Sequence, residues 1–533
     1  MSRFSRADSL HIGTVALIVL AAAVLRFADL PSRGLIYWDE GKFLLEGVRL
    51  ETGLRILAGA HSSLPAGKAI GTAKPTHALL IALSFAAFGV HDYSALFLNA
   101  FAGVVAVVLV YRIATLLFDP TVGVVAALVL AVSEYDVIYS RSALSENDAN
   151  ALLLLGVLLW LYERCRPRSE RRSIALLVSA GPVFGLAFTT NYRIVVYVAV
   201  IVGFDLLFGS KQRRLSGTVV RAGQWIAGFA VAPCVWQLID FLARARGTVL
   251  FRSEITHQPT TYFGEALYQI HGGKQSEVVF GPLPYLQWYV AYQGWILAAL
   301  LALGMVLALR LRSFAWLAAL CPVVVPYLLY IWAPIIVPRN LAAAVPFTAI
   351  LIAAALVLAV RRMATRQGFL PVLVLLVLIL GLDGARRSWR LSAERSGFTL
   401  AARYVAAHGD GATLTTSEIP VFYLRGSNGQ CRTAPLPHSL SLLAADVRAG
   451  YRFAIMDHDS WPAARFIHFH LRRVARYPST QTTKIGENLI AAENTHPPHG
   501  AYPVPYVDVF QLTSTGLPPP GRQAPQVCDL NVL

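Results

Sequence analysis

An all-α polytopic membrane bundle of about eleven transmembrane helices, carrying a small C-terminal extracytoplasmic α/β domain, is the fold class that this sequence predicts. Three observations lead there. Hydrophobic residues make up 56% of the chain and charged residues only 14%, more apolar length than one soluble core needs. Apolar runs of membrane-spanning length recur from residue 10 to about residue 385, as transmembrane helices require. Beyond about residue 395 the runs shorten to strand length, as in Ala412-Thr413-Leu414-Thr415, with helical patterns between them.

The expected spans, in order, are 10–28, 95–117, 121–138, 149–164, 173–189, 192–208, 221–242, 285–309, 314–332, 340–360 and 368–384. Their direction follows from the cations. The 46 Lys and Arg residues outnumber 30 Asp and Glu, giving a net charge of +16. They fall in short clusters between apolar runs, which is the positive-inside pattern and not a nucleic-acid surface. Clusters at Arg164–Arg172, Lys211–Arg214, Arg310–Arg312 and Arg361–Arg366 place those loops and the N-terminus in the cytoplasm. Residues 29–94, 139–148, 243–284, 333–339 and everything after 385 then lie outside. The expectation is a multi-pass protein of the plasma (inner) membrane with an extracytoplasmic C-terminus. Arg3 and Arg6 before the first apolar core also fit a cleaved signal peptide.

The stretch Tyr37-Trp38-Asp39-Glu40-Gly41-Lys42-Phe43 follows the first apolar run. A charge at the bilayer centre costs roughly 2.5 to 3.5 kcal/mol, so Asp39, Glu40 and Lys42 belong to a wet or interfacial loop. A plain solvated loop with aromatic anchors is the bland alternative. Leu44 to Leu57 suits a helix lying along the surface, and the apolar stretch Thr76 to Val90 is short enough to be re-entrant or interfacial. The second outer loop, Tyr139 to Asp148, brings Glu146 and Asp148 to the same face. Its structural alternative is helix capping by Ser145 or Asn147, with Asp148 favoured by the helix dipole.

Five cations disobey the positive-inside rule. Lys42, Lys74, Arg141, Arg193 and Arg339 all lie on the outer side near helix ends. Together with the outer carboxylates they outline a site for an anion, and arginine forks suit phosphate.

The five cysteines show no CxxC spacing, which signals neither a zinc site nor a redox motif. Cys165, Cys234 and Cys321 sit in or beside apolar segments and read as buried thiols. Cys431 and Cys528 lie beyond the last span, in an oxidising compartment, and are expected to form a disulfide. The domains are therefore 1–390, a transmembrane unit with the large first outer loop 29–94, and 391–533, an α/β unit with a Pro-rich tail. Strands are expected also at 453–456 and 507–510, and helices at about 397–407 and 461–475.

Several of these motifs recur together and in a fixed order. They are Asp39-Glu40 after the first helix, and Lys74-Pro75 before a segment ending Phe88-Gly89-Val90. Ser140-Arg141 follows, with Glu146 five residues on, and then Pro338-Arg339-Asn340-Leu341 opening a late helix that contains Pro346. In this the chain resembles the C-superfamily membrane glycosyltransferases, in the protein O-mannosyltransferase and aminoarabinose-transferase-like branch. The resemblance implies a polyprenyl-phosphate-sugar donor and an acceptor hydroxyl at the outer face, the acceptor being lipid, glycan or protein. It makes Asp39 the general base and sets Lys74 and the later-loop arginines Arg141, Arg193 and Arg339 at the donor phosphate. By their place on the outer face, Glu40, Glu146 and Asp148 are expected as accompanying catalytic acids and Lys42 as a further phosphate-binding cation. Displacement of the phosphate in line by a single base predicts inversion at the anomeric carbon.

Thr76 stands where many relatives carry a second proline, and Ala73 where some carry an acid. A metal ligand of some relatives is thus missing. The reading admits a divalent metal without requiring one, with His61 and His257 as weak candidate ligands and His77 and His271 beside them. Two rivals share the outer-face charge: a lipid-linked sugar flippase or transporter, and a catalytically inactive envelope assembly protein. A transporter more often sets its polar residues at mid-helix in repeat-related halves. Neither pattern occurs here.

Overall fold

The computed structural model describes residues 6–57, 74–165, 170–208, 215–246, 249–252, 258–270, 282–332, 337–364, 368–408, 412–425, 433–437, 439–457, 471–479 and 506–512. The expected disulfide partners Cys431 and Cys528, and the candidate ligands His61, His257 and His271, lie outside them.

The bundle begins with α1 (Arg6–Phe27), α2 (Trp38–Leu57), α3 (Pro75–Phe88), α4 (Asp92–Leu117), α5 (Pro120–Ala131), α6 (Glu134–Ser140) and α7 (Glu146–Cys165). It continues with α8 (Glu170–Thr190), α9 (Ile194–Phe208), α10 (Leu215–Ala245), the short strands β1 (Phe251–Arg252) and β2 (Pro259–Thr260), and α11 (Tyr262–Ile270). After α12 (Pro282–Gln293), α13 (Trp295–Leu311) and α14 (Phe314–Tyr330), a 3₁₀ segment, Pro338–Ala344, leads into α15 (Val345–Met363) and α16 (Phe369–Trp389).

Among the described residues five helices are long and apolar enough to cross a membrane: Gly13–Ser32, Asp92–Leu117, Gly217–Ala245, Pro338–Met363 and Phe369–His408. A sixth crossing follows if α5 and α6, bent by 60°, act as one span. Ser133 causes that break by leaving the helix in an extended conformation and capping α6 through its side chain, which accepts from the Asp136 N–H. The run at 285–309 is likewise divided, at Gly294, whose φ of +81° no L side chain adopts readily.

Two inner features tie the helices together. Arg26 on α1 donates to Asp136 on α6 at 2.6 Å and to the Ala131 carbonyl at 3.0 Å, which holds the broken span against the first helix. At the far end of α7, Asp205 on α9 accepts from Trp160, Trp225, Arg164 and Arg221, while Arg221 also forks onto both oxygens of Glu163. Every polar group at the heart of that network has a partner, as burial in an apolar bundle demands.

Outside the bundle come α17 (Gly397–His408), β3 (Thr413–Thr415), α18 (Glu418–Leu424), β4 (Thr433–Pro435), α19 (Leu440–Arg448), β5 (Phe453–Asp457), β6 (Leu471–Pro478) and β7 (Tyr506–Leu512). The five-stranded sheet has the order β4-β3-β5-β7-β6, parallel around β3 and antiparallel around β7. Strand alternation gives its faces different fates. Phe453, Ile455, Val507 and Val509 join the same continuous core as the helices, whereas Ala454, Met456, Phe510 and Leu512 form a separate core with Leu443 of α19. The sheet is thus bonded through one face to the membrane unit. Of the helix expected at 461–475, residues 471–475 instead form β6, paired along β7 with a bulge between Arg473 and Ala475. Arg476 gripping the buried Asp508 at 2.7 Å fixes that edge.

Removing Asp205 leaves the cation of Arg221 short of a partner in a buried site, and breaking such a pair costs about 3 to 5 kcal/mol. Asp205→Ala is expected to lower the melting temperature of the purified protein far more than Asp383→Ala, whose carboxylate is 58% exposed in its pair with Arg387 and costs under about 1 kcal/mol. Thermal unfolding followed by intrinsic fluorescence compares the two.

Candidate active site

Asp39 and Glu40 do not sit in a loop; they open α2. Acids in a first turn are favoured by the positive end of the helix dipole, and here Glu40 also reaches back over the turn. Its Oε2 accepts from the backbone N–H of Ile36 at 2.6 Å and of Tyr37 at 2.8 Å, one half of a capping box. Its Oε1 accepts from Arg33 at 3.0 Å and from the Ala143 N–H at 2.8 Å. With both members of the Arg33–Glu40 pair wholly buried, Glu40 is a structural anchor facing away from the site expected for it.

Asp39 turns the other way. Its Oδ2 accepts from Arg339 Nη1 at 2.7 Å, joining residues 300 positions apart in the sequence. The side chain remains 37% exposed. Burial alone works against its charge, but Arg339, then Lys74 and Lys42, hold the carboxyl well below the usual carboxylate range.

Lys74 precedes α3, whose first residue, Pro75, needs no N–H partner. Its ammonium lies 4.5 Å from the Phe43 ring centre and 5.8 Å from that of Tyr192. Burial lowers its pKa to about 8; Glu146 opposes this, Arg193 and Arg339 reinforce it, and Asp39 opposes it. Glu146, at the start of α7, accepts from Asn191 and more distantly from Arg193. The cluster therefore holds four cations, Lys42, Lys74, Arg193 and Arg339, against two carboxylates, Asp39 and Glu146.

Three expected site residues are placed elsewhere. Arg141 donates through Nη1 to the carbonyls of Arg26 and Ala28, which closes the end of α1 and its exit turn, while its Nε and Nη2 have no hydrogen-bond partner among the described residues. Asp148 faces His77 Nδ1 at 2.6 Å, while His77 Nε2 lies 3.2 Å from the Ala143 carbonyl. A carbonyl only accepts, so Nε2 carries a proton and the histidine braces the 139–148 loop with both nitrogens engaged. Glu40, as above, is the third.

The residues that hold Arg339 escaped the sequence reading. Its 3₁₀ segment is held by Tyr135, Tyr197 and Asn150 on the carbonyls of Pro338, Asn340 and Ala342, and by an Asn340–Tyr285 hydrogen bond of 2.9 Å. No local pattern marks an aromatic hydroxyl for such a duty. Among the described residues no three His, Cys, Asp or Glu side chains converge as metal ligands. The cations around Asp39 also repel a divalent ion, so these residues do not fit a metal.

Residues 72–237 match the family model of dolichyl-phosphate-mannose-protein mannosyltransferases. No curated protein matches the sequence. The structure is similar to that of ArnT from Cupriavidus metallidurans bound to undecaprenyl phosphate, with a TM-score of 0.62 at 15% identity over 96% of this chain and 99% of that one. The chain shares the fold of that protein, whose apo form is similar at a TM-score of 0.63 and 14% identity. The oligosaccharyltransferase of Archaeoglobus fulgidus, tethered with an acceptor peptide, is similar too, with a TM-score of 0.57 at 14% identity over 86% of this chain and 71% of that one.

Within this fold, the C-terminal domain touches the helix that bears Asp39. A Cβ on Gly41 would come within 2.5 Å of the Ile419 backbone nitrogen, so only glycine lets α18 lie so close. Leu44 to Leu57 is therefore not a free surface helix; Gly47 and its neighbours pack on Ile81 and Phe85 of α3 while α18 covers another side. Glu418 at the start of α18 faces the stripe Asp39, Lys42, Glu46 and Arg49. Burial lifts its carboxyl to about 7, with Lys42 pulling it down and Glu46 and Asp39 pushing it up.

The two adjacent acids should part company on mutation. Glu40→Gln breaks a buried ion pair and is expected to cost about 3 to 5 kcal/mol, whereas Asp39→Asn gives up a partly exposed pair worth under about 1 kcal/mol. Melting temperatures of the two purified variants check this; equal losses would contradict the opposed placement of the side chains.

Proposed function

We propose that this protein transfers a sugar from a polyprenyl-phosphate donor to an acceptor hydroxyl, with inversion and with Asp39 as the general base. One observation carries the reading: a partly exposed carboxylate fronted by four cations at the rim of an apolar bundle. The undecaprenyl phosphate in the structurally similar ArnT supports a polyprenyl phosphate as the anion. The site lies on the extracytoplasmic side, where nucleotide sugars are not supplied and a lipid-linked donor takes their place.

The reaction balances without a redox partner. The acceptor oxygen forms a bond to the anomeric carbon as the sugar–phosphate bond breaks, the acceptor proton passes to Asp39, and the polyprenyl phosphate departs as an anion. Lys74, Arg193, Arg339 and Lys42 stabilise that leaving charge, which is where preorganised cations contribute most. Glu146 keeps Asn191 and Arg193 in place. Asp39 in the unloaded site is a weak base because Arg339 grips it. A donor phosphate competes for Arg339, and Asp39 becomes more basic once that grip loosens. Base strength is thereby linked to donor occupancy.

Purified protein in vesicles, given radiolabelled polyprenyl-phosphate sugars, tests the activity: transfer supports the reading, and translocation alone supports the flippase. Asp39→Asn is expected to lower turnover by about 10² to 10⁴-fold, the usual worth of a general base. Lys74→Ala and Arg339→Ala should raise the donor KM. Lys74 is charged below its pKa of about 8, so kcat/KM for the donor should fall as pH rises through that value. Arg339→Ala removes the chief cause of the depressed Asp39 pKa, and the acid limb of the profile should then move to higher pH.

A further inference from the structure

Helix α11 carries two unlike faces. Tyr262, Glu265 and Ala266 are buried, while Phe263, Leu267 and Ile270 are 41%, 56% and 42% exposed. Their i, i+4, i+7 spacing sets them in one row. The helix is pinned to α10, since the Phe263 N–H donates to Gln237 Oε1 at 3.2 Å and Arg244 donates to the Thr260 carbonyl. Depth follows from helix geometry. Arg221, paired with Asp205 and Glu163, marks the polar rim at the opposite end of α10. With 1.5 Å per residue, Gln237 lies about 24 Å from it, inside a hydrocarbon layer about 30 Å thick. The same stretch of α10 also exposes apolar side chains, Val235, Leu238, Phe241 and Leu242.

The buried face of α11 leads to the phosphate cluster. Tyr262 and Ala266 share a core with Trp236 and Phe188, against which Tyr192 packs, and Tyr192 is one of the two rings beside the Lys74 ammonium. The Trp236 indole N–H donates to Thr76 Oγ1 at 2.9 Å, and Thr76 bonds Thr189 at 2.7 Å. Thr76 is two residues from Lys74.

We propose that α11 is a lipid-docking helix whose Phe263, Leu267 and Ile270 row inserts among the acyl chains of the leaflet on the active-site side, and whose seating is passed through Trp236 and Thr76 to Lys74. Interfacial helices typically bury one face about 5 to 10 Å into that boundary, which matches the depth of Gln237. The lipid-docking half stands on packing alone; the coupling half rests on the proposed phosphate site.

The full-length protein in phosphatidylglycerol nanodiscs, with photoreactive benzoylphenylalanine in place of Leu267, tests the first half. Irradiation is expected to give a phospholipid adduct at 267 and none with the same probe in place of the exposed Arg448. No lipid adduct, or an adduct to a second copy of the chain, overturns the docking. Binding of undecaprenyl phosphate to the same nanodiscs tests the second half: Trp236→Phe should weaken it several-fold, and Trp236→Phe together with Thr76→Val no further. Unchanged binding in Trp236→Phe overturns the coupling. Absence of binding by the wild type overturns both the coupling and the phosphate site, while the adduct arm still decides the docking.

Discussion

Glu40 sets the direction of everything around it. Its two oxygens hold the Arg33 guanidinium and the backbone N–H groups of Ile36, Tyr37 and Ala143. That ties the exit of α1, the first turn of α2 and the 139–148 loop to one buried point. A carboxylate so fully bonded has little freedom left, and the helix that starts over it has one rotation. Asp39, one residue earlier and about 100° around the helix axis by the 3.6-residue period, then faces Lys74 and Arg339. Its exposed side chain owes its place to its buried neighbour.

That division of labour explains which parts of the site were legible in the sequence. The pair of acids, Lys74 before its proline and Arg339 after its own stood out because charge at the end of an apolar run needs a reason. Telling a working charge from a bracing one required the third dimension. Arg141 and Arg193 look alike in sequence, as outer cations near helix ends, yet one closes the carbonyls of α1 and the other joins Glu146. Asp148 gave no sign that His77, 71 positions earlier, would take it.

In the C-terminal domain the strand runs at β3, β5 and β7 were readable as apolar runs of strand length, and β5 and β7 are apolar on both faces because each face meets a core. The segment 471–475 was not. Its Leu-Arg-Arg-Val-Ala pattern has helical spacing, and only pairing with β7 and the Arg476–Asp508 ion pair make it a strand. Tertiary context overrides a short local pattern of this kind. Glu418 and Gly41 were missed for the same reason: the close approach of α18 to α2 is visible only once the domains are together.

The approach has a consequence for how the two halves work together. An outer domain joined by a flexible linker would leave α2 to its own fluctuations. Here one face of the sheet shares the core of the bundle, and α18 rests on the backbone of Gly41, two residues from Asp39. Tyr423 and Arg425 extend the contact to Asp92 and the Val90 carbonyl at the junction of α3 and α4. The first turn of α2 is therefore held by Glu40 and by the approach of α18, while the Asp39 carboxylate is bonded by Arg339. On the proposed reading Asp39 is a base that must lie within hydrogen-bond reach of an acceptor, and such a base tolerates little positional error. Fixing its helix between the bundle and the C-terminal domain supplies that accuracy without burying the carboxylate itself.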